Sequence, residues 1–225
     1  HDDKLDPYGG CRMCVVDVEG SPRPLPACAT RVSEGMVVST NGATGEFRKT
    51  LTEMLLAEHL NASPAGRPNE LTDLAAELDA HAPFILPDAQ REPYDDRDRL
   101  MGYDPDACIL CARCVRYTQE VMQCSALSLE GRGGHARIVP TWGKSWLDTD
   151  CELCGGCLSV CPTGALYEKF LEGTEVEERK LEQVRSTCTF CGVGCQVDLN
   201  VDPATQRIFK VTSKDEYLPN EGNLC

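Results

Sequence analysis

Apolar positions in this chain come in short bursts, and their period changes from one burst to the next. Residues 14–19 (Cys-Val-Val-Asp-Val-Glu) alternate like a half-buried strand, which Gly20-Ser21-Pro22 ends. Residues 25–30 and 36–39 are further short extended pieces. Over residues 46–60 Leu51, Met54, Leu55 and Leu56 share one face, predicting an amphipathic helix. The run from Asn61 to Pro68, with two prolines and a glycine, breaks it. Asn69 then stands as N-cap for a second helix over residues 70–80. Residues 81–100 are rich in proline and charge and predict a surface connection. Residues 128–139, with Gly131-Arg-Gly-Gly at their centre, predict a hairpin. The acidic stretch 171–181 reads as a linker or exposed helix, and strands are expected at 196–201 and 207–211. The sum is an α+β chain of small lobes. No apolar run approaches the ~20 residues of a membrane span.

Cysteine changes this picture. The 15 cysteines fall into four groups with none left over. They are Cys11-x2-Cys14-x13-Cys28, then Cys108-x2-Cys111-x2-Cys114-x9-Cys124. The other two are Cys151-x2-Cys154-x2-Cys157-x3-Cys161-Pro162 and Cys188-x2-Cys191-x3-Cys195-x29-Cys225. An odd count argues against a disulfide framework, and three thiols in one C-x2-C-x2-C loop have poor disulfide geometry. Tetrahedral zinc prefers two separated C-x2-C pairs. Three cysteines in close series wrap one face of an iron–sulfur cube, and a distant fourth closes it. Four groups of four ligands would need one thiol more than the chain has, and the first group is the short one. Gly9-Gly10 and Gly155-Gly156 would let backbone N–H donors approach cluster sulfur without a Cβ in the way.

The formal charge of −14 argues against nucleic acid or an anionic membrane as partner, and fits docking to other subunits. The chain opens on His1 without a Met or leader pattern and closes on Cys225, itself a candidate ligand; it reads as a window of a longer protein. With so many thiols as ligands, the lobes are expected to fold around their metal. Gly131-Arg-Gly-Gly lacks the Lys-Ser/Thr ending of a phosphate loop. Arg113, Arg116 and Lys169 stand near candidate ligands and read as solvated surface charges, with tuning of cluster potentials as the alternative. No catalytic constellation accompanies the cysteines.

The Tyr8-Gly-Gly-Cys11-Arg-Met-Cys14 segment with Cys28 resembles the [2Fe–2S] loop of complex I, NAD-linked formate dehydrogenases and iron-only hydrogenases. That resemblance implies a β-grasp ferredoxin lobe over residues 1–45 and a fourth cysteine upstream of His1. The block at 101–172 resembles a two-cluster bacterial ferredoxin, in which each triplet is completed by the cysteine following the other. Cys161 is then implied to complete the [4Fe–4S] cluster of Cys108, Cys111 and Cys114. The matching position after Cys114 is Thr118, not a thiolate. Cys124 is assigned in its place to the [4Fe–4S] cluster of Cys151, Cys154 and Cys157; the rival is a three-cysteine cluster with Cys124 as bystander.

In complex I and many formate dehydrogenases a His-x3-Cys-x2-Cys-x5-Cys cluster lies between these lobes. Here His59 fits the pattern, but Ser63, Gly66 and Thr72 stand where cysteines are expected. This cluster is predicted absent from the helical connector at 46–100, with His59 a helix-end histidine. Finally, Thr187-Cys188-Thr-Phe-Cys191-Gly-Val-Gly-Cys195 with Gly222-Asn-Leu-Cys225 resembles the [4Fe–4S] motif that opens the molybdopterin oxidoreductases, here over residues 186–225. The whole is most similar to a cytoplasmic NAD-dependent formate dehydrogenase α-subunit. This resemblance implies one [2Fe–2S] and three [4Fe–4S] clusters, and a molybdenum or tungsten bis-pterin guanine dinucleotide site beyond Cys225. It also implies a flavin- and NAD-binding iron–sulfur partner in a hetero-oligomer, without membrane insertion. The competing readings are a complex I relay subunit, an iron-only hydrogenase and another molybdopterin enzyme such as assimilatory nitrate reductase.

Overall fold

The computed structural model describes residues 2–59, 67–83, 100–143, 145–171 and 173–225. Of the positions read for the missing cluster, Ser63 and Gly66 lie outside the described residues, as do most of 81–100. Among the described residues no helix is long and apolar enough to cross a membrane.

The first lobe is a three-stranded antiparallel sheet in the order β2-β1-β3. β1 is Val15–Val18, β2 Leu25–Pro26 and β3 Val38–Ser39. β1 sits centrally because both neighbours are two residues long and end in turns. A 3-10 turn, Ala27–Ala29, follows β2 at once and carries Cys28. The connector holds α1 (Ala43–Glu58) and α2 (Glu70–Leu78), which pack on each other. α1 begins three residues before the expected start at 46, and both helices end two residues short of their predicted ends at 60 and 80. The N-cap prediction holds at the level of atoms: Asn69 Oδ1 accepts the N–H of Leu71 at 3.1 Å and of Thr72 at 3.2 Å. α2 stops where Asp79 turns left-handed, at φ 48°.

The central lobe is closed by two residue runs far apart in sequence. β4 (Met101–Tyr103) pairs antiparallel with β7 (Leu166–Glu168). Between them, β5 (Leu127–Glu130) and β6 (Arg137–Pro140) form the expected hairpin, with Leu127 opposite Pro140. Two one-turn helices, α3 (Arg113–Arg116) and α4 (Gly156–Ser159), pack across its middle. Its core joins Met101, Tyr103, Ala107, Leu127, Ile138, Trp146 and Leu166 to Cys108, Cys114 and Cys157. Thiols therefore belong to the apolar core, as the cysteine count suggested.

The last lobe is an antiparallel sheet in the order β10-β9-β8. β9 is Gln196–Val201 and β10 Ile208–Thr212, at the expected places. Of the linker or exposed helix expected over 171–181, the described residues form the linker, with a single 3-10 turn at Glu178–Lys180. A strand the sequence did not announce, β8 (Glu182–Thr187), follows directly. Every β8 side chain is exposed, so no alternation marks it; its backbone pairs with β9 from Glu182–Val201 to Thr187–Gln196.

Asn69 does two jobs. With Oδ1 committed to the helix, its Nδ2 donates to His59 Nε2 at 2.9 Å, tying the ends of α1 and α2 together. His59 is 4% exposed and caps α1, a helix-end histidine with its ε nitrogen engaged. Replacing Asn69 by Ala removes the cap and the His59 bond, and is expected to cost about 1–3 kcal/mol. Asn69→Asp should keep the cap and lose only the donor. Denaturant midpoints of the anaerobic holoprotein check the ranking wild type, Asp, Ala.

Candidate iron–sulfur sites

The two C-x2-C-x2-C loops are built alike. In each, the residue two after the first cysteine is left-handed: Leu110 at φ 54° and Leu153 at φ 55°. The residue after the second cysteine is too: Ala112 at φ 60° and Gly155 at φ 76°. In each, the left-handed leucine turns its N–H onto the first thiol, Leu110 onto Cys108 Sγ and Leu153 onto Cys151 Sγ, both at 3.4 Å. Left-handed backbone is costly for non-glycine residues and persists where surrounding structure demands it. Here it aims successive N–H groups into one hollow, a nest suited to negative charge. Each loop then enters a one-turn helix that carries the third cysteine, Cys114 or Cys157, into the core.

Cys108, Cys111, Cys114 and Cys161 line one small pocket, walled by Tyr103, Ile109, Ile138 and Leu166 among others. Cys161 arrives from across the lobe on the loop before β7, and accepts from Leu166 N–H at 3.5 Å. Among the described residues no three His, Cys, Asp or Glu side chains close around a single ion. The four thiols ring a hollow instead of meeting at a point. Burial, then the neighbouring Cys161 and Cys108, push the Cys111 thiol up to about 11. Cys114 is pushed well above its ordinary value by burial, then by Cys111, Cys161 and Cys108. Clustered buried thiols are held neutral until a cation compensates their charge, so the donor set fits a positively charged iron core.

The second triplet is similar. Burial raises the Cys157 thiol first, then Cys151, Cys154 and Cys161. Cys124 sits at the end of a detour from α3. The helix runs on through a π turn, Tyr117–Val121, and the chain then doubles back. The N–H groups of Cys124 and Ser125 both land on the Thr118 carbonyl, each at 2.9 Å. Gln123 and Ser125, on either side of Cys124, are left-handed at φ 55° and 47°. Cys124 is thereby returned beside Thr118, whose own hydroxyl is buried and donates to Val115 O at 2.9 Å.

In the first lobe Cys28 N–H reaches Cys14 Sγ at 3.4 Å. Burial acts to raise the Cys14 thiol, but the backbone N–H and thiol of Cys28 outweigh it and leave Cys14 below its usual value. Cys28 is raised by burial and by Cys14, and it also feels Cys11. Cys11 itself is exposed. In the last lobe Cys188 N–H donates to Cys195 O at 2.8 Å, joining the ends of that loop, while Cys191 and Cys225 are exposed.

Charged residues near the sites are less solvated than the sequence suggested. Arg113 pairs with Glu70 at 3.1 Å and Arg116 with Glu120 at 2.7 Å, both arginine side chains under a fifth exposed. A residue that carried no sequence signal, Arg67, stacks on Tyr167 at 3.7 Å and donates to Gly164 O at 2.7 Å. Glu70 N–H donates to Pro162 O at 2.6 Å. The connector is thus docked onto the loop that follows Cys161. Tyr117 is another such residue; burial, then Cys154 and Cys157, push its hydroxyl up to about 12.

Three family matches coincide with these three cysteine-bearing lobes. Residues 1–43 match the 2Fe-2S iron-sulfur cluster binding domain. Residues 100–167 match the ferredoxin-like domain of NADH-quinone oxidoreductase subunit 3. Residues 181–225 match the molybdopterin oxidoreductase Fe4S4 domain. Together they define an iron–sulfur electron-relay region of molybdopterin-oxidoreductase type, related to complex I. The chain is 33% identical over 226 aligned positions to the NADPH-Fe(3+) oxidoreductase subunit alpha of Geobacter sulfurreducens, covering 99% of this chain and 26% of that protein. It is 34% identical to one of the NADH-quinone oxidoreductase subunits of Rhizobium meliloti, with 99% and 26% covered. A putative formate dehydrogenase of Staphylococcus haemolyticus is 25% identical, with 100% and 27% covered. The chain thus spans about a quarter of the length of these relatives. Among solved structures, an NAD+-reducing [NiFe]-hydrogenase in the H2-reduced state aligns with a TM-score of 0.62 at 29% identity, covering 75% of this chain and 73% of that one.

The loops leave little room for change. A Cβ added at Gly156, beside Cys157, would stand 2.1 Å from the Tyr117 ring. Gly156→Ala is therefore expected to destabilise the holoprotein by about 1–3 kcal/mol through overpacking, read as a lowered thermal midpoint.

Proposed function

We propose that this chain is the iron–sulfur relay of a formate dehydrogenase catalytic subunit. It would carry electrons from a molybdenum or tungsten bis-pterin site outside the chain to a flavin- and NAD-binding partner in the cytoplasm. The observation that carries the relay reading is the cavity lined by Cys108, Cys111, Cys114 and Cys161, with the like-built Cys151 loop beside it. The [2Fe–2S] ligands are Cys11, Cys14 and Cys28 with one further thiol. The [4Fe–4S] groups are Cys108, Cys111, Cys114 and Cys161; Cys124, Cys151, Cys154 and Cys157; and Cys188, Cys191, Cys195 and Cys225. The return of Cys124 to the Thr118 carbonyl supports its place in the second group.

Clusters of these kinds supply one-electron redox chemistry when bound. Formate becoming carbon dioxide releases two electrons and a proton, and NAD accepts two electrons, so the relay passes them singly between two-electron ends. The chain's part is to hold thiolates, aim N–H groups at their sulfurs, and wall the cavities with apolar side chains. Those N–H donors stabilise added negative charge and so tune the potentials.

Formate is supported by the motif from Thr187 to Cys195 with Cys225 and by the 25% identical putative formate dehydrogenase. A second reading is favoured by the higher identity, 33%, of the NADPH-Fe(3+) oxidoreductase subunit. In it the same relay serves an NADPH- or NADH-oxidising complex without formate chemistry. Anaerobic full-length holoprotein with its flavin partner separates them through the visible iron–sulfur absorbance. Bleaching by formate is the expected result. Bleaching by NADH or NADPH but not by formate would establish the second reading.

The ligand groups are tested by iron content. Cys161→Ser and Cys124→Ser are each expected to lose one cubane, about four irons, with matching loss of its electron paramagnetic resonance signal. Full iron and unchanged spectra in Cys124→Ser would make Cys124 a bystander.

A further inference from the structure

We infer that Tyr117 is a positioning residue that ties the loop bearing Cys225 to the loop bearing Cys154 and Cys157, and so sets the gap an electron crosses between the two groups. The inference rests on the ligand groups proposed above.

Tyr117 is 2% exposed and lies on the turn that continues α3. Its ring lies against the Cα of Gly156, between Gly155 and Cys157. Only a residue without a Cβ permits that approach. Cys154 packs on the small apolar cluster that Tyr117 forms with Leu5 and Val160. One face of the ring thus belongs to the second triplet.

The hydroxyl belongs to the last lobe. It donates to Asn223 Oδ1 at 3.0 Å. Asn223 stands two residues before Cys225 and is itself fixed. Its N–H donates to Asn220 O at 2.8 Å, and its carbonyl accepts from Asn220 Nδ2 at 3.1 Å. Asn220 in turn bonds Ser213 Oγ at 2.7 Å, and its Oδ1 accepts the N–H of Gln196, next to Cys195, at 2.9 Å. A hydrogen-bonded path therefore runs from the ring over Gly156 to the backbone beside Cys195 and Cys225. The amino-terminal segment seals the junction. Lys4 pairs with Asp215 at 3.0 Å, and Leu5, 5% exposed, packs against Tyr117.

Electron tunnelling decays exponentially with the gap and crosses packed, bonded matter better than water. A buried phenol hydrogen-bonded to an amide keeps this gap short and dry. Tyr117 does not change oxidation state. A cluster held by Cys188, Cys191, Cys195 and Cys225 would give up one electron as one held by Cys124, Cys151, Cys154 and Cys157 gained it, or the reverse. No proton moves and no bond forms or breaks.

The test uses the anaerobic full-length holoprotein as wild type and as Tyr117→Phe, Tyr117→Leu, Asn223→Leu and Asn223→Asp. Iron content and midpoint potentials establish that each cluster is present and unaltered. Magnetic coupling between the two reduced clusters, and the freeze-quench rate at which an electron redistributes between them, read the gap. Weaker coupling and several-fold slower redistribution are expected in Tyr117→Leu and Asn223→Leu, with a smaller effect in Tyr117→Phe. Asn223→Asp, which keeps the acceptor oxygen, should restore the wild-type rate. Where Tyr117→Leu loses a cluster, Tyr117→Phe and Asn223→Leu decide. Wild-type coupling and rate in both, with clusters intact, would overturn the inference. A wild-type spectrum in Cys225→Ser would instead overturn the ligand reading beneath it.

Discussion

The central lobe, on which the others are docked, depends on the burial of thiols against one another. Cys108, Cys114 and Cys157 occupy core positions that a leucine or valine would hold in an ordinary domain of this size. A thiol there is tolerable as a small apolar group. Several together, each raised by burial and by its neighbours, form a set whose charged state the protein alone does not support. A bound iron–sulfur core would supply the compensating charge, and would also replace the packing that short strands and one-turn helices do not provide. Among the described residues the sheets are three-, three-, two- and two-stranded, too slight to bury a large apolar face of their own.

The lobes are then joined by polar side chains more than by extended apolar contact. Arg113 pairs with Glu70 of the connector, and Arg67 lies on Tyr167 over the Cys161 loop. Tyr117 reaches Asn223, and Lys4 reaches Asp215. Directional bonds of this kind fix relative position at few points. In a relay, where function depends on separations between centres, fixing a few separations well matters more than covering area.

Much of this was legible in the sequence, for physical reasons that differ by element. α2 showed itself because Asn69 caps it with its own side chain. The β5–β6 hairpin showed itself because Gly131 supplies a left-handed turn, at φ 74°, between alternating strands. The candidate ligands showed themselves because their spacing is a covalent property of the chain, while the grouping of distant cysteines came from resemblance. β8 was hidden because it buries no side chain. β4 and β7 were hidden because three residues apiece are too few to show a period. The left-handed leucines at 110 and 153 break the rule that glycine fills such positions. Arg113 looked solvated because its partner Glu70 is remote in sequence, and Arg116 because a pair with Glu120 one turn along is ordinary on an exposed helix face.

The meeting of Cys124 and Ser125 on the Thr118 carbonyl makes a closed ring of backbone. Such a ring fixes Cys124 by its mouth, at one carbonyl, while Val121 and Met122 within it pack beside Tyr117. The address of Cys124 is then a single peptide oxygen and not a count along the chain.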